Sequence, residues 1–262
     1  MTTKPTATLL KAFQEEAQLR YPQEACGFVV KVGKKQRFVA CENTAARPTE
    51  DFRIGHEEYQ RAADIGEVIA VWHSHPDKTN QPSDFDRVEC ENTALPWFIN
   101  AITKEGEEFI FSDTHLLSPE GFMLEYLGRP YHYGLIDCYS LLRDYYKGEY
   151  GVELAALKSA RDTRFWDFGN PVIENSYADL GFERVYDAQP RPGDVILIQT
   201  GGSVANHVAI YIGDDMILHH VEDRLSSRSI YGGYWHKHTV GMLRHPEVTN
   251  GTDKGNSGRA TG

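Results

Sequence analysis

The chain has 262 residues, 40% hydrophobic and 25% charged, a globular composition that excludes long disorder, collagen-like and coiled-coil architectures and, at about 100–200 residues per domain, favours two domains. Asp and Glu number 38 against 27 Lys and Arg, a formal charge of −11. Binders of phosphate backbones need a basic face, so no nucleic-acid partner is expected.

Met1-Thr2-Thr3-Lys4-Pro5 lacks the apolar stretch of a secretory signal, and the chain is expected to begin its life in a cytoplasm. Leu9, Leu10, Phe13 and Ala17 recur at helical spacing and predict a helix over 6–19, closed by Tyr21-Pro22. Strands follow over 26–32 and 37–41 across a Gly33-Lys34-Lys35 turn. The pattern then predicts a helix at 57–65, a buried strand at 68–72, a helix at 84–94, and a hairpin of 96–103 with 107–112. Leu127-Gly128-Arg129-Pro130 interrupts this regularity and sets the boundary between domains at 1–126 and 127–246. Helices are expected over 138–146, 153–159 and 173–180, then three strands over 194–199, 207–212 and 216–219. Helices followed by antiparallel strands make this half α+β. Residues 247–262 contain no aromatic side chain and read as a disordered tail. The longest apolar runs, such as Val195-Ile196-Leu197-Ile198, fall far short of the roughly 20 residues a membrane span requires. Four cysteines, none in a C-x-x-C pair, are too few for a disulfide framework.

His73-Ser74-His75-Pro76 follows the apolar strand, and residues two apart on a strand face the same side, so two imidazoles converge. Seven residues separate His75 from Ser83, and Asp86 follows three positions later. Alone, an H-x-H is commonly two polar residues at a strand end, and Ser83 with Asp86 is a helix capping box. His236 and His238 form a second H-x-H without a downstream carboxylate and read as structural. Two His and one Asp, however, give the three protein ligands with which catalytic zinc sites leave a position open. Glu24 upstream, H-S-H-P, and S-x-x-D over residues 1–126 resemble the JAMM (MPN-type) metalloproteases. That resemblance implies zinc on His73, His75 and Asp86, Glu24 as general base, and Ser83 holding the oxyanion.

In the second half, Cys138 precedes an apolar helical pattern, and the positive end of a helix favours the thiolate. His207 opens one strand and His219 ends the next, so a hairpin can bring them side by side, one as base and one orienting it. A lone buried cysteine is more commonly packing. The ordered set is more specific: Tyr131-His132-Tyr133-Gly134, Asp137-Cys138-Tyr139-Ser140, Arg191-Pro192-Gly193-Asp194, Asn206-His207-Val208 and His219. It resembles the NlpC-type cysteine peptidases over about residues 128–246. The resemblance implies a papain-like α+β fold and hydrolysis of D-γ-glutamyl links to diaminopimelate in bacterial cell-wall peptide. It makes Cys138 nucleophile, His207 base, His219 its orienting partner and Tyr131 a substrate or oxyanion contact. Tyr139-Ser140 stands where wall-cutting members commonly have Ser-Gly, a departure that bears on the cleft.

A JAMM domain followed by an NlpC-type domain resembles tail tip assembly proteins of lambda-like tailed phages. Phage tail-tip proteins are then the implied partners and bacterial cell-wall peptide the implied substrate, with assembly in the host cytoplasm and action from the virion tail tip. Two other readings stay open: a non-catalytic assembly factor, and a cellular isopeptidase acting on a ubiquitin-like protein through the first domain.

Overall fold

The computed structural model describes residues 4–157, 165–186 and 189–251, and the chain divides into two compact units after Phe122. In the first, α1 (Ala7–Arg20) starts at Thr6, whose hydroxyl accepts the Leu9 N–H at 3.3 Å. Leu9, Phe13 and Ala17, four residues apart, form its buried face. β1 (Cys26–Val32), β2 (Lys35–Cys41), α2 (His56–Ile65), β3 (Glu67–Pro76), α3 (Asp84–Thr93), β4 (Trp97–Glu105), β5 (Glu108–Phe111) and β6 (His115–Leu117) complete the unit. The sheet runs β2-β1-β3-β4-β5, with β6 also on β4. β3 and β4 are parallel and every other pair is antiparallel.

Alternation along β3 divides two cores. Ala70 and Trp72 join the α1 side, where Phe13 stacks on Trp72 at 4.8 Å. Val71 joins the side holding Ala62 of α2 and Cys90 of α3. His73 and His75 continue the Val71 row, which places both imidazoles on the face that α3 covers.

The second unit has α4 (Cys138–Tyr145) continuing into a π-helical turn, Tyr146–Tyr150, then α5 (Val172–Ser176), β7 (Glu183–Val185), β8 (Val195–Ile198), β9 (His207–Gly213), β10 (Met216–His219), β11 (Ser227–Ile230), α6 (Gly233–Lys237), β12 (Thr239–Arg244) and α7 (Pro246–Gly251). The antiparallel sheet runs β11-β10-β9-β8-β12-β7, and Leu141 and Leu142 of α4 pack with Val208 and Ile210 of β9. Both units mix helix and sheet in the α+β manner.

Several local expectations change. The sheet has six strands rather than three, because β7 and β11 are short and polar and β12 has a glycine at its centre. Residues 153–157 are not helical; Leu154 is buried there and its carbonyl accepts from Arg143 at 3.0 Å. Residues 158–159 of that predicted helix lie outside the described residues. The helix expected to Leu180 ends at Ser176, and the turn that follows reaches Gly181 at φ +86°. The expected tail begins as α7, because Val248 is 3% exposed and packs into the core; residues 252–262 lie outside the described residues. Gly193 shows why that packing needs glycine: its φ is +94°, and a Cβ would lie 2.4 Å from Val248 Cγ1. Among the described residues no helix is long and apolar enough to cross a membrane.

Two candidate active sites

In the first unit, His73 Nε2 and His75 Nε2 lie 2.9 Å apart. Asp86, in the first turn of α3, faces both: Oδ1 is 3.1 Å from His73 Nε2, and Oδ2 is 3.4 Å from His75 Nε2. Glu24 lies just before β1, and its carboxylate falls within 4.8 Å of both imidazoles. All four residues are buried. The capping box is real as well: Ser83 Oγ accepts the Asp86 N–H at 3.2 Å and donates to Asp86 Oδ2 at 2.8 Å, while the Ser83 N–H donates to the same oxygen at 2.7 Å. One serine therefore both starts the helix and aims the carboxylate at the histidines.

Burial would raise Asp86, but His73 and His75 outweigh it and hold the carboxyl well below the ordinary range. Burial dominates at Glu24, whose pKa is raised despite the two histidines and Lys78. At His75 burial pulls down, yet Asp86 and Glu24 leave the imidazole raised. His75 Nδ1 donates to the Thr79 carbonyl at 2.8 Å, which leaves Nε2 as a lone-pair donor directed at the cluster. His73 lies under Phe52, ring centroids 4.6 Å apart, with Nδ1 buried and unpaired. Two imidazole nitrogens and a carboxylate converge within 3.4 Å of one another, and two His with one carboxylate make a donor set that zinc accepts, so these residues fit zinc.

In the second unit, Asp137 is the N-cap of α4 and is fully engaged: Oδ1 accepts from Tyr139 N and Ser140 N at 2.9 Å, and Oδ2 from Gly134 N at 2.8 Å. The Asp137 N–H donates to Ser140 Oγ at 2.8 Å. Asp137 and Ser140 thus form a capping box that fixes Cys138 as the first residue of α4. Cys138 is half-buried whereas Cys26, Cys41 and Cys90 are buried. The amides of Val208, Cys138 and Tyr139 favour its anion, but burial and then Asp137 prevail and push the thiol up to about 12. Desolvation thus opposes the helix end on which the sequence expectation of a thiolate rests.

The β9–β10 hairpin brings His207 Nε2 within 3.2 Å of His219 Nδ1, and His219 Nε2 lies 2.9 Å from Ser229 Oγ on β11. Trp235 of α6 stands perpendicular to His219 at 4.5 Å and walls the pair. Tyr131 packs edge-on to His220 at 5.1 Å. Burial, then the proximity of Cys138 and Asp137, raises its phenol, which keeps it protonated and able to donate. Ser229, Trp235, Thr79 and Lys78 escape the sequence reading. A serine on an edge strand carries no motif, and Lys78 gains meaning only where the loop folds back on Glu24.

Burial, then His219 and His220, lowers His207 to about 3; burial, then His220 and Arg224, lowers His219 to about 4. Both stay neutral in the folded unit where an unfolded imidazole, with a pKa of about 6.5, takes a proton. The unfolded state therefore binds more protons between about pH 6.5 and about pH 4, and stability falls with pH through that window, by up to about 1.4 kcal/mol per pH unit for each histidine. Melting curves at pH 7 and 5 should show the wild type losing more stability on acidification than His207→Gln/His219→Gln. An equal loss in both would contradict the assignment.

Residues 128–244 match the model of the NlpC/P60 family, and residues 6–112 match prokaryotic homologs of the JAB domain. Tail tip assembly protein K of Escherichia phage N15 is 36% identical over 242 residues, covering 91% of this chain and 95% of that one. Its counterpart in Escherichia phage lambda is 32% identical over 189 residues, covering 72% of this chain and 87% of that one.

Proposed function

We propose, because this chain belongs to the tail tip assembly protein K family, that it serves tail tip assembly as a two-headed peptidase. The second unit is a cysteine endopeptidase that cuts D-γ-glutamyl–diaminopimelate links of bacterial peptidoglycan. The observation that carries this reading is the relay of His207, His219 and Ser229 at the end of β9 whose Val208 amide faces the Cys138 sulfur.

The relay has a direction. His219 Nε2–H donating to Ser229 leaves Nδ1 to accept from His207 Nε2–H, so His207 keeps a bare Nδ1 as base for the thiol. The thiol proton passes to that nitrogen as sulfur attacks the scissile carbonyl. The N–H of Cys138 and the Tyr131 hydroxyl stabilise the oxyanion. His207 returns the proton to the departing diaminopimelate amine, and water then releases the D-glutamyl acyl group from sulfur. Asp137 is spent on capping and positions the nucleophile rather than touching substrate.

The first unit is a zinc-dependent peptidase, with His73, His75 and Asp86 as ligands. Zinc there supplies a Lewis acid that lowers the pKa of water to about 7. Glu24, raised by burial, would be suited to take a proton from such a water, and Ser83 would hydrogen-bond a developing oxyanion by turning its hydroxyl away from Asp86 Oδ2. Phage tail-tip proteins are the partners, and one of them is the proposed substrate of this unit. The proposed role puts the chain in the host cytoplasm during assembly and has it act at the host wall from the virion tail tip.

Purified sacculi test the wall-cutting reading: wild type releases new amino groups and Cys138→Ala does not, whereas equal release, or none from wild type, opposes it. Metal content tests the first unit, with one zinc per chain expected in wild type and less than about a tenth of that occupancy in His75→Ala, as loss of one of three ligands dictates. Normal virion yield from the double variant Cys138→Ala/His75→Ala would favour a non-catalytic assembly factor.

A further inference from the structure

Glu24 sits where two roles compete for it. Its carboxylate lies within 4.8 Å of the His73 and His75 donor atoms, near enough for a side-chain rotation to make it a fourth protein ligand beside Asp86. A site with four protein ligands is the closed, structural kind; one with three keeps the open position that hydrolysis needs. The backbone of Glu24 is fixed: its N–H donates to the Pro48 carbonyl at 2.7 Å, and its carbonyl accepts from Asn43 Nδ2 at 2.9 Å. What holds the carboxylate is Lys78. Its ammonium pairs with Glu24 Oε1 at 3.2 Å and donates to the Glu50 carbonyl at 3.0 Å. Lys78 is anchored in turn, because the next residue, Thr79, binds His75 Nδ1 through its carbonyl. A single loop between β3 and α3 thus orients one ligand and tethers the acid opposite it.

We propose that Lys78 is a positioning residue that holds the Glu24 carboxylate off the metal, and so keeps the first unit's metal site three-liganded and open. The inference rests on the reading of His73, His75 and Asp86 as zinc ligands. Lys78→Met frees Glu24 to close the site, and the variant binds zinc on the order of tenfold more tightly, the scale of changes around metal ligands. Removing a nearby positive charge also favours a dication, and the Glu24→Gln background separates the two causes.

Zinc affinity is measured by chelator competition on the full chain for wild type, Lys78→Met, Lys78→Arg, Glu24→Gln and Lys78→Met/Glu24→Gln, and the visible absorption of the cobalt(II)-loaded proteins is recorded with and without azide. The expected result has four parts: tighter binding in Lys78→Met, loss of most of that gain in the Glu24→Gln background, wild-type affinity in Lys78→Arg, and an azide-sensitive cobalt spectrum in wild type that becomes insensitive in Lys78→Met. An undiminished gain in the Glu24→Gln background, unchanged affinity, or an azide-sensitive Lys78→Met spectrum each overturns the positioning role while leaving the zinc site intact. Zinc binding that is absent in wild type, or unaffected by His75→Ala, removes the zinc reading itself and this inference with it.

Discussion

Cys138→Ala and His207→Ala should each lower wall-peptide hydrolysis by about four orders of magnitude or more, and the double variant should be no worse than either single one. Nucleophile and base act as a unit, so removing either removes the covalent route. His219→Ala should cost less than either, because it sets the tautomer and orientation of His207 without touching the substrate. Ser229→Ala, one hydrogen bond further along at 2.9 Å, should cost about tenfold or less. Cys138 is half-buried, and its replacement by alanine should leave the fold intact. Initial rates on a soluble wall peptide, with circular dichroism of each variant, test the order. Independent, multiplying losses in the double variant, or a Ser229→Ala defect equal to that of His207→Ala, would refute the relay.

Arg244→Met should destabilise the second unit by about 3–5 kcal/mol, the usual cost of stranding a buried charge. Asp194 is 2% exposed and receives Arg244 through two hydrogen bonds, Nε to Oδ1 at 2.7 Å and Nη2 to Oδ2 at 2.5 Å, with Arg191 N on Oδ2 at 2.8 Å. Deleting the guanidinium leaves a carboxylate that water cannot reach. Asp194→Asn should cost less: the amide still accepts a hydrogen bond, and Arg244, with a side chain 16% exposed, can turn toward solvent. A loss of this size shifts Tm by about 10 °C or more in a unit of this length. Differential scanning calorimetry of both variants checks the asymmetry, and a larger loss in Asp194→Asn would reverse the argument. The Arg191-Pro192-Gly193-Asp194 motif is explained by the same geometry: Gly193 makes the turn under Val248, and Asp194 joins that turn to β12.

The parts legible in the sequence are those where chemistry and period coincide. His73 and His75 share a strand face, Ser83 and Asp86 start a helix, and Glu24 precedes β1; the sheet of the first unit needs only these periods to bring all five together. The β9–β10 hairpin likewise follows from two apolar runs around Gly213-Asp214-Asp215, and it brings His207 and His219 into contact. Less legible were elements made by tertiary contact. β11, Ser227-Arg228-Ser229-Ile230, has no apolar alternation and exists because β10 offers an edge. α7 forms because Val248 has a core to enter. The environment of Cys138 divides in the same way: position at a helix start is local and visible, whereas desolvation depends on what packs around the sulfur. Lys78 and Thr79 lie in a polar loop whose meaning arises only when it closes over Glu24 and His75.

The most direct measurement of the central claim is cleavage of a defined L-Ala-D-γ-Glu-diaminopimelate-D-Ala tetrapeptide by the purified full chain, with products identified by mass spectrometry and Cys138→Ala alongside. The account predicts scission between D-glutamate and diaminopimelate, abolished in the variant. An intact peptide after prolonged incubation with wild type, or the same products from Cys138→Ala, would contradict it.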